Sequence, residues 1–231
     1  MGLHHSPRIV TDGLVLCLDA ADKNSYPGSG NTWYDLSGNG NNGTLQNTPS
    51  FDNYAKGVLS FDGSNDYVNI PYNTSLDFDY ITLEYFVKPG EKTHVRPFVN
   101  RATTGINQVH PWRLLMSNPS ASTFNFQIYI NGTIQTTLST TLFELDKFYH
   151  VTTTFNGTKL IMYINGIIED SITVSGVIDK TTSNIEVGRN VFYNPERYAN
   201  QDAAVLKLYN RALTATEIQQ NYNATKTRFG L

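Results

Sequence analysis

Cysteine is nearly absent. Cys17 is the only one in 231 residues, so no disulfide can form within the chain. It sits in the apolar run 14–18 and is expected to be a buried, inert thiol. Charge is also scarce. Asp, Glu, Lys and Arg make up 16% of the chain, against ~25% in an ordinary domain. The net charge is −3, and Lys and Arg form no cluster. A face that neutralises several phosphates is therefore missing, which argues against a nucleic-acid partner. No apolar run approaches the ~20 residues of a membrane helix, so no membrane partner is expected. Residues 1–7 lack a signal-peptide core, so export by the usual route is not expected either. Catalytic signatures are missing as well. There is no E-x-D-x-x-E, the pattern that would set paired acids on one face of a glucanase strand. No G-x-S-x-G, paired zinc-ligand motif or P-loop occurs.

Asparagine and threonine are abundant. They fill 50 of the 231 positions, so the surface is polar without being charged. Aromatic residues, at 12%, are ample for a core. The length suits one β-sandwich, a class that runs to roughly 200–250 residues as a single domain.

The chain's clearest structural statement is the stretch 148–170, F-Y-H-V-T-T-T-F-N-G-T-K-L-I-M-Y-I-N-G-I-I-E-D. Two arms rich in β-branched and aromatic residues are separated by Asn156-Gly157 and followed by Asn165-Gly166. Both dipeptides accept the positive φ of tight turns, so the stretch reads as an antiparallel meander. The N-x-[ST] triplets at Asn42, Asn131 and Asn156 read as turn chemistry. Residues 81–88 alternate, with Ile81, Leu83, Tyr85 and Val87 on one face, as a half-buried strand should. Phe124, Phe126, Ile128 and Ile130 repeat that pattern. Residues 58–61 and 67–70 read as two arms around an Asp62–Asp66 turn. Residues 185–188 and 205–209 supply late strands. Residues 19–47 read as a long loop stapled to the body by Trp33 and Tyr34. Thr214-Ala215-Thr216-Glu217 is a capping box that opens one short helix, with Ile218 and Tyr222 on one face. Residues 1–11 carry no periodicity and read as an arm, held by the sheet or by a neighbouring subunit. The domain proper then runs from 12 to 225, with a tail at 226–231.

Six segments resemble the laminin-G-like jelly-roll domain of the concanavalin A-like lectin/glucanase superfamily, in the variant common in tailed-phage structural proteins and bacterial surface proteins. They are D-G-L-V-L-C-L-D-A (12–20), W-Y-D-L-S-G-N-G-N-N-G-T-L (33–45), L-S-F-D-G-S-N-D-Y-V (59–68), I-T-L-E-Y-F-V-K-P (81–89), the first part of the meander (148–166) and L-Y-N-R-A-L-T-A-T-E-I-Q-Q-N-Y (208–222). The resemblance implies an all-β fold: a two-sheet antiparallel β-sandwich with one short C-terminal α-helix. It also implies ligands at loop rims or on a sheet face, with sugars or calcium bound in some members. One departure is Asp202-Ala203-Ala204-Val205, where the family usually places an acidic residue after a Gly-x-Ile-like opening.

Two loops offer aromatic rings with polar neighbours, the combination that holds a sugar. They give Trp112 and Arg113, and Phe192, Tyr193, Arg197 and Tyr198, as carbohydrate-binding candidates; rings covering the ends of the core are the competing reading. Asp62, Asn65 and Asp66 can offer oxygen ligands to calcium, or cap their own backbone as an Asx loop. No other cofactor is called for. His150 is expected to pack in the sandwich, and Glu84 stands alone on its strand.

The expected function is non-catalytic: a phage virion protein, a capsid decoration or tail-appended module. It would be made in the host cytoplasm and anchored to other virion proteins by its N-terminal arm. As a homo-oligomer it would bind glycans through avidity. A carbohydrate-binding module of a bacterial surface protein is the alternative, and a glycoside hydrolase the second.

Overall fold

The computed structural model describes residues 8–92, 95–101, 110–117, 122–191 and 196–231. Met1–Pro7, Phe192 and Tyr193 lie outside the described residues. The first strands are β1 (Leu14–Asp19), β2 (Thr32–Trp33), β3 (Gly43–Gln46), β4 (Ser50–Asp52), β5 (Val58–Asp62) and β6 (Tyr67–Ile70). Next come β7 (Ile81–Pro89), β8 (Pro97–Arg101), β9 (Trp112–Met116), β10 (Thr123–Ile130), β11 (Thr133–Leu142) and β12 (Tyr149–Phe155). The last are β13 (Lys159–Ile164), β14 (Ile167–Thr173), β15 (Ile185–Val187), β16 (Arg189–Asn190), β17 (Arg197–Tyr198) and β18 (Asn200–Tyr209), followed by helix α1 (Ala215–Thr225).

These strands form two antiparallel sheets. Sheet A runs β14-β13-β12-β7-β18-β5-β4, with β1 on the second half of β18. Sheet B runs β11-β10-β9-β8-β15-β6-β3-β2. Between them lies the main core. The alternating sets Ile81, Leu83, Tyr85, Val87 and Phe124, Phe126, Ile128, Ile130 all face into it, with Trp33 and Trp112. Each such side chain contributes about 1.5–3 kcal/mol by leaving water.

The meander is present as β12-β13-β14. Asn165 and Gly166 both have positive φ, 53° and 80°, as a two-residue turn between twisted strands requires. At Asn156-Gly157 only the glycine does; the Asn156 side chain instead accepts the Thr158 and Lys159 N–H groups.

Four readings of the sequence need correction. Residues 58–61 and 67–70 are not two arms of one hairpin: β5 lies in sheet A and β6 in sheet B. The Asp62–Asp66 turn carries the chain from one sheet to the other. The presumed loop 19–47 contains two short strands, β2 and β3. Gly43 opens β3 because a Cβ there would meet Val68 Cγ1 at 2.5 Å. Trp33 does anchor that region, but Tyr34 is exposed. Finally, β7 is buried on both faces. Thr82, Glu84 and Phe86, on the face away from the main core, are covered by α1 and the tail, whose Tyr222 and Phe229 pack near Phe86.

The helix begins at the capping box. Thr214 Oγ1 accepts the Glu217 N–H, and Glu217 accepts the Thr214 N–H at 2.8 Å. Beneath it is a second, polar layer. Glu84 is 1% exposed. Its carboxylate meets His150 Nε2 at 2.7 Å, Asn221 Nδ2 at 2.8 Å and Lys207 Nζ at 3.5 Å. His150 therefore packs on the outer side of sheet A, stacked on Phe86 and Tyr222. Asn221 also accepts the Val10 N–H, while Tyr209 donates its hydroxyl to the Val10 carbonyl. The described part of the N-terminal arm is thus tied to the domain's own helix and sheet.

One side of the sandwich is closed by carboxylates. Glu169 of β14 accepts the Thr140 and Thr141 N–H groups of β11, and Asp170 accepts that of Leu138.

Candidate functional site

The antiparallel registers align one residue from each strand of sheet B. Thr32 pairs with Thr44, Thr44 with Asn69, and Asn69 with Glu186. Glu186 pairs with Asn100, Asn100 with Arg113, Arg113 with Gln127, and Gln127 with Thr136. All eight are polar. They lie on the sheet's outer face, because their strand neighbours Val68, Ile185, Val187, Val99, Trp112, Leu114, Phe126 and Ile128 face the core. With strands ~4.8 Å apart, seven steps span about 34 Å. The middle of the row, Asn100 and Arg113, is enclosed, while Asn69, Glu186 and Gln127 are half-buried. Arg113 Nε donates to Gln127 Oε1 at 2.6 Å. Asn100 Nδ2 donates to the Glu186 and Arg189 carbonyls, and among the described residues its Oδ1 has no hydrogen-bond partner.

Midway along, at Asn100 and Glu186, the row meets the β16–β17 hairpin. Gly188 turns the chain out of the sheet with φ 84°. Arg189 then grips Glu196 with two bonds, 3.1 and 2.8 Å, and lies 3.4 Å from Glu186. Its guanidinium sits 4.5 Å over the Tyr67 ring. Tyr198 donates its hydroxyl to Glu196 at 2.6 Å, and its ring centroid is 6.3 Å from that of Tyr67. Burial raises the Glu186 carboxyl to about 7; Arg189 opposes that shift and Glu196 adds to it. Among the described residues, Glu186 Oε2 has no hydrogen-bond partner. A half-neutral carboxyl, amides, guanidinium groups and two rings can together hold a polyhydroxylated ligand.

Of the carbohydrate candidates, Arg113, Arg197 and Tyr198 come to this region. Arg197 Nη1 donates to the Val95 carbonyl beside β8. Trp112 does not belong with them: it is fully buried in the main core. Strand β9 begins directly after Pro111, so the alternation that turns Arg113 outward turns Trp112 inward. The sequence reading missed Asn69, Asn100, Glu186 and Gln127.

The calcium candidates lie at the same end of the sandwich. Asp62 Oδ1 accepts the Ser64 and Asn65 N–H groups, and Asp66 Oδ2 accepts that of Asp62. The backbone bond from Ser64 leads in holding the Asp62 carboxyl low, whereas burial pushes Asp66 up. Three of the available oxygen contacts therefore cap the loop's own backbone, as in an Asx turn. Among the described residues no three His, Cys, Asp or Glu side chains converge on a metal position. Beside this loop is a cleft of about 350 Å³ lined by Asn47, Thr48, Ser50, Ser60, Asp62 and Asp66.

Two facing sheets with a polar outer row and a rim hairpin define a jelly roll of the lectin-like class. A family model confirms the class: residues 62–219 match it, and the chain belongs to the concanavalin A-like lectin/glucanases superfamily. No curated protein matches the chain. Solved structures do. The binding domain of Paraclostridial Mosquitocidal Protein 1 has a TM-score of 0.72 at 18% identity, over 93% of this chain and 52% of that one. Botulinum neurotoxin type C, whose cell entry depends upon interaction with two ganglioside molecules, gives 0.69 at 15%, over 94% and 52%. A Trypanosoma rangeli sialidase bound to 2,3-difluoro-KDN gives 0.69 at 18%, over 94% and 33%. The chain thus spans about half the length of the toxin structures and a third of the sialidase. At these identities the likeness is one of fold.

Proposed function

We propose that the chain is a non-catalytic glycan-binding module and that the polar row on sheet B, with the β16–β17 hairpin beside its Glu186, is the binding surface. The row itself carries this reading. Eight strands in succession contribute a polar side chain to one line, and alternation alone does not require that each be polar. Structures of similar fold belong to proteins that meet gangliosides or a sialic-acid analogue, which supports the same ligand class. The non-catalytic reading rests on the carboxylates. Glu84 is sealed beneath α1, and Glu186 and Glu196 share the Arg189 guanidinium rather than facing one another across open space.

A glycan array with the full chain, followed by calorimetry on the best ligand, tests this. Gln127→Ala and Tyr198→Ala should each weaken binding by about 10-fold. The absence of any ligand at millimolar concentration overturns the reading, and release of reducing ends from the bound glycan overturns the non-catalytic part.

The setting we infer is a phage particle, where the module would serve as a capsid decoration or tail-appended protein. The polar, weakly charged surface and the absence of possible disulfides favour this setting over a bacterial surface protein. Because residues 8–11 brace the helix, the test is a truncation that stops at Pro7. The truncated protein should fold but be missing from purified particles; its presence there would refute anchoring by that arm.

A further inference from the structure

A second cleft, separate from the polar row, lies where the chain turns between β4 and β5. It encloses about 340 Å³. Tyr26 and Phe51, with ring centroids 5.2 Å apart, form its apolar side together with Pro27. Asn53, Lys23 and Lys56 complete the lining, and no carboxylate contributes to it. Neither ammonium has a recorded ion pair or ring partner among the described residues. Lys88, Lys147, Lys180 and Lys207, by contrast, have carboxylate neighbours, and Lys92 and Lys226 lie over rings; of the other lysines only Lys159, on β13, shares this lack among the described residues.

The backbone at Lys56 is unusual. Ala55 and Lys56 both adopt left-handed conformations, with φ 47° and 65°. Such positions favour glycine, and a non-glycine residue there is strained. Arg228 from the C-terminal turn holds the segment in place. Its Nε donates to the Ala55 carbonyl and its Nη2 to the Gly57 carbonyl, while Nη1 pairs with Asp19, each at 2.6 Å. The protein therefore fixes a lysine in a strained turn although, among the described residues, its side chain has no ion-pair or ring partner. Strain of this kind, over-determined by its surroundings, is found where a side chain acts on something outside.

We propose that this cleft binds a saccharide ring carrying an anionic group, with the ring against Tyr26 and Phe51 and the anion between Lys23 and Lys56. A sugar carboxylate and a sugar phosphate share the chemistry required. No carboxylate lines the cleft to compete with such an anion for the two ammonium groups. Charge-assisted bonds from both would select acidic over neutral sugars.

The test is titration of the full chain with glucuronate, glucose 6-phosphate and glucose, read by amide chemical shifts and calorimetry. At least one acidic sugar should bind about 10-fold or more tightly than glucose, lose affinity with added salt, and shift the signals of Phe51 and Lys56. Which acid binds distinguishes a carboxylate from a phosphate. Lys56→Gly is the decisive variant. It should leave the thermal midpoint unchanged or raised, because glycine relaxes the turn, while weakening the acidic sugar about 10-fold. Lys23→Met should weaken it similarly. Lys159→Ala, a lysine outside both sites, should have no effect, and shifts at Phe51 and Lys56 without shifts at Gln127 and Tyr198 separate binding here from binding at the polar row. Equal binding of glucose and the acids, or unchanged affinity in Lys56→Gly, overturns the proposal.

Discussion

Glu84 and Glu186 are both removed from water, yet their carboxyls move in opposite directions. Burial pushes each up. At Glu84 that push is outweighed by Lys207, His150 and Asn221, and the group is held at about 2. At Glu186 the leading effect is burial, Arg189 is the lone cation against it, and the group rises to about 7. Among the described residues one oxygen of Glu186 has no hydrogen bond, whereas both oxygens of Glu84 do. Burial therefore says little by itself; the number and sign of the neighbours decide whether a buried acid is part of the framework or remains available. Glu84 fastens sheet A to its helix. Glu186 faces the site with capacity unused.

The sharpest way to break this contrast is Glu84→Gln. It leaves Lys207 buried without a counter-charge and should cost about 3–5 kcal/mol in chemical denaturation. A loss below 1 kcal/mol would place Glu84 in the same class as Glu186. Next is the pH dependence of Glu186. The folded protein protonates this group near 7, whereas the unfolded chain does so near 4.5. Between those values the folded state holds the extra proton, so the group's contribution to stability falls as pH rises. Glu186→Gln removes that slope. It should have little effect at pH 4 and stabilise by on the order of 1–3 kcal/mol at pH 8; equal effects at both pH values would count against a raised carboxyl. Glu84 acts in the reverse sense, its contribution being present above 4.5 and lost as pH falls toward 2. The smallest effect is Thr214→Ala, which should lower stability by ~1 kcal/mol through the helix cap; an unmoved denaturation midpoint would show that the latch over Glu84 does not depend on it.

Much of the fold was legible because its signals are local. The 148–170 meander, the alternation of 81–88 and 124–130, and the Thr214 capping box each depend on residues within a few positions of one another. Errors arose where the answer is tertiary. Nothing near Asp62 tells a hairpin from a crossing between sheets, since both need the same turn chemistry. The covering of β7's second face is supplied by residues more than 130 positions away. Trp112 was misplaced because the segment after Pro111 reads as a loop, whereas it is strand β9, whose alternation turns Trp112 inward and Arg113 outward. The polar row is the extreme case. Each member could be read as the polar half of an alternating strand, but their alignment depends on registers linking positions 32, 44, 69, 100, 113, 127, 136 and 186. No window of sequence contains that alignment.

The carboxylates of β14 that occupy β11's outer amides bear on how such a protein tolerates crowding. A bare strand margin is a template on which a neighbouring molecule can extend the sheet. Here Glu169 and Asp170 already fill those positions from within, and against the upward push of burial the hydroxyl and amide bonds from Thr140 and Thr141 hold the Glu169 carboxyl below its ordinary value. A neighbouring molecule meeting this margin finds its amides already taken.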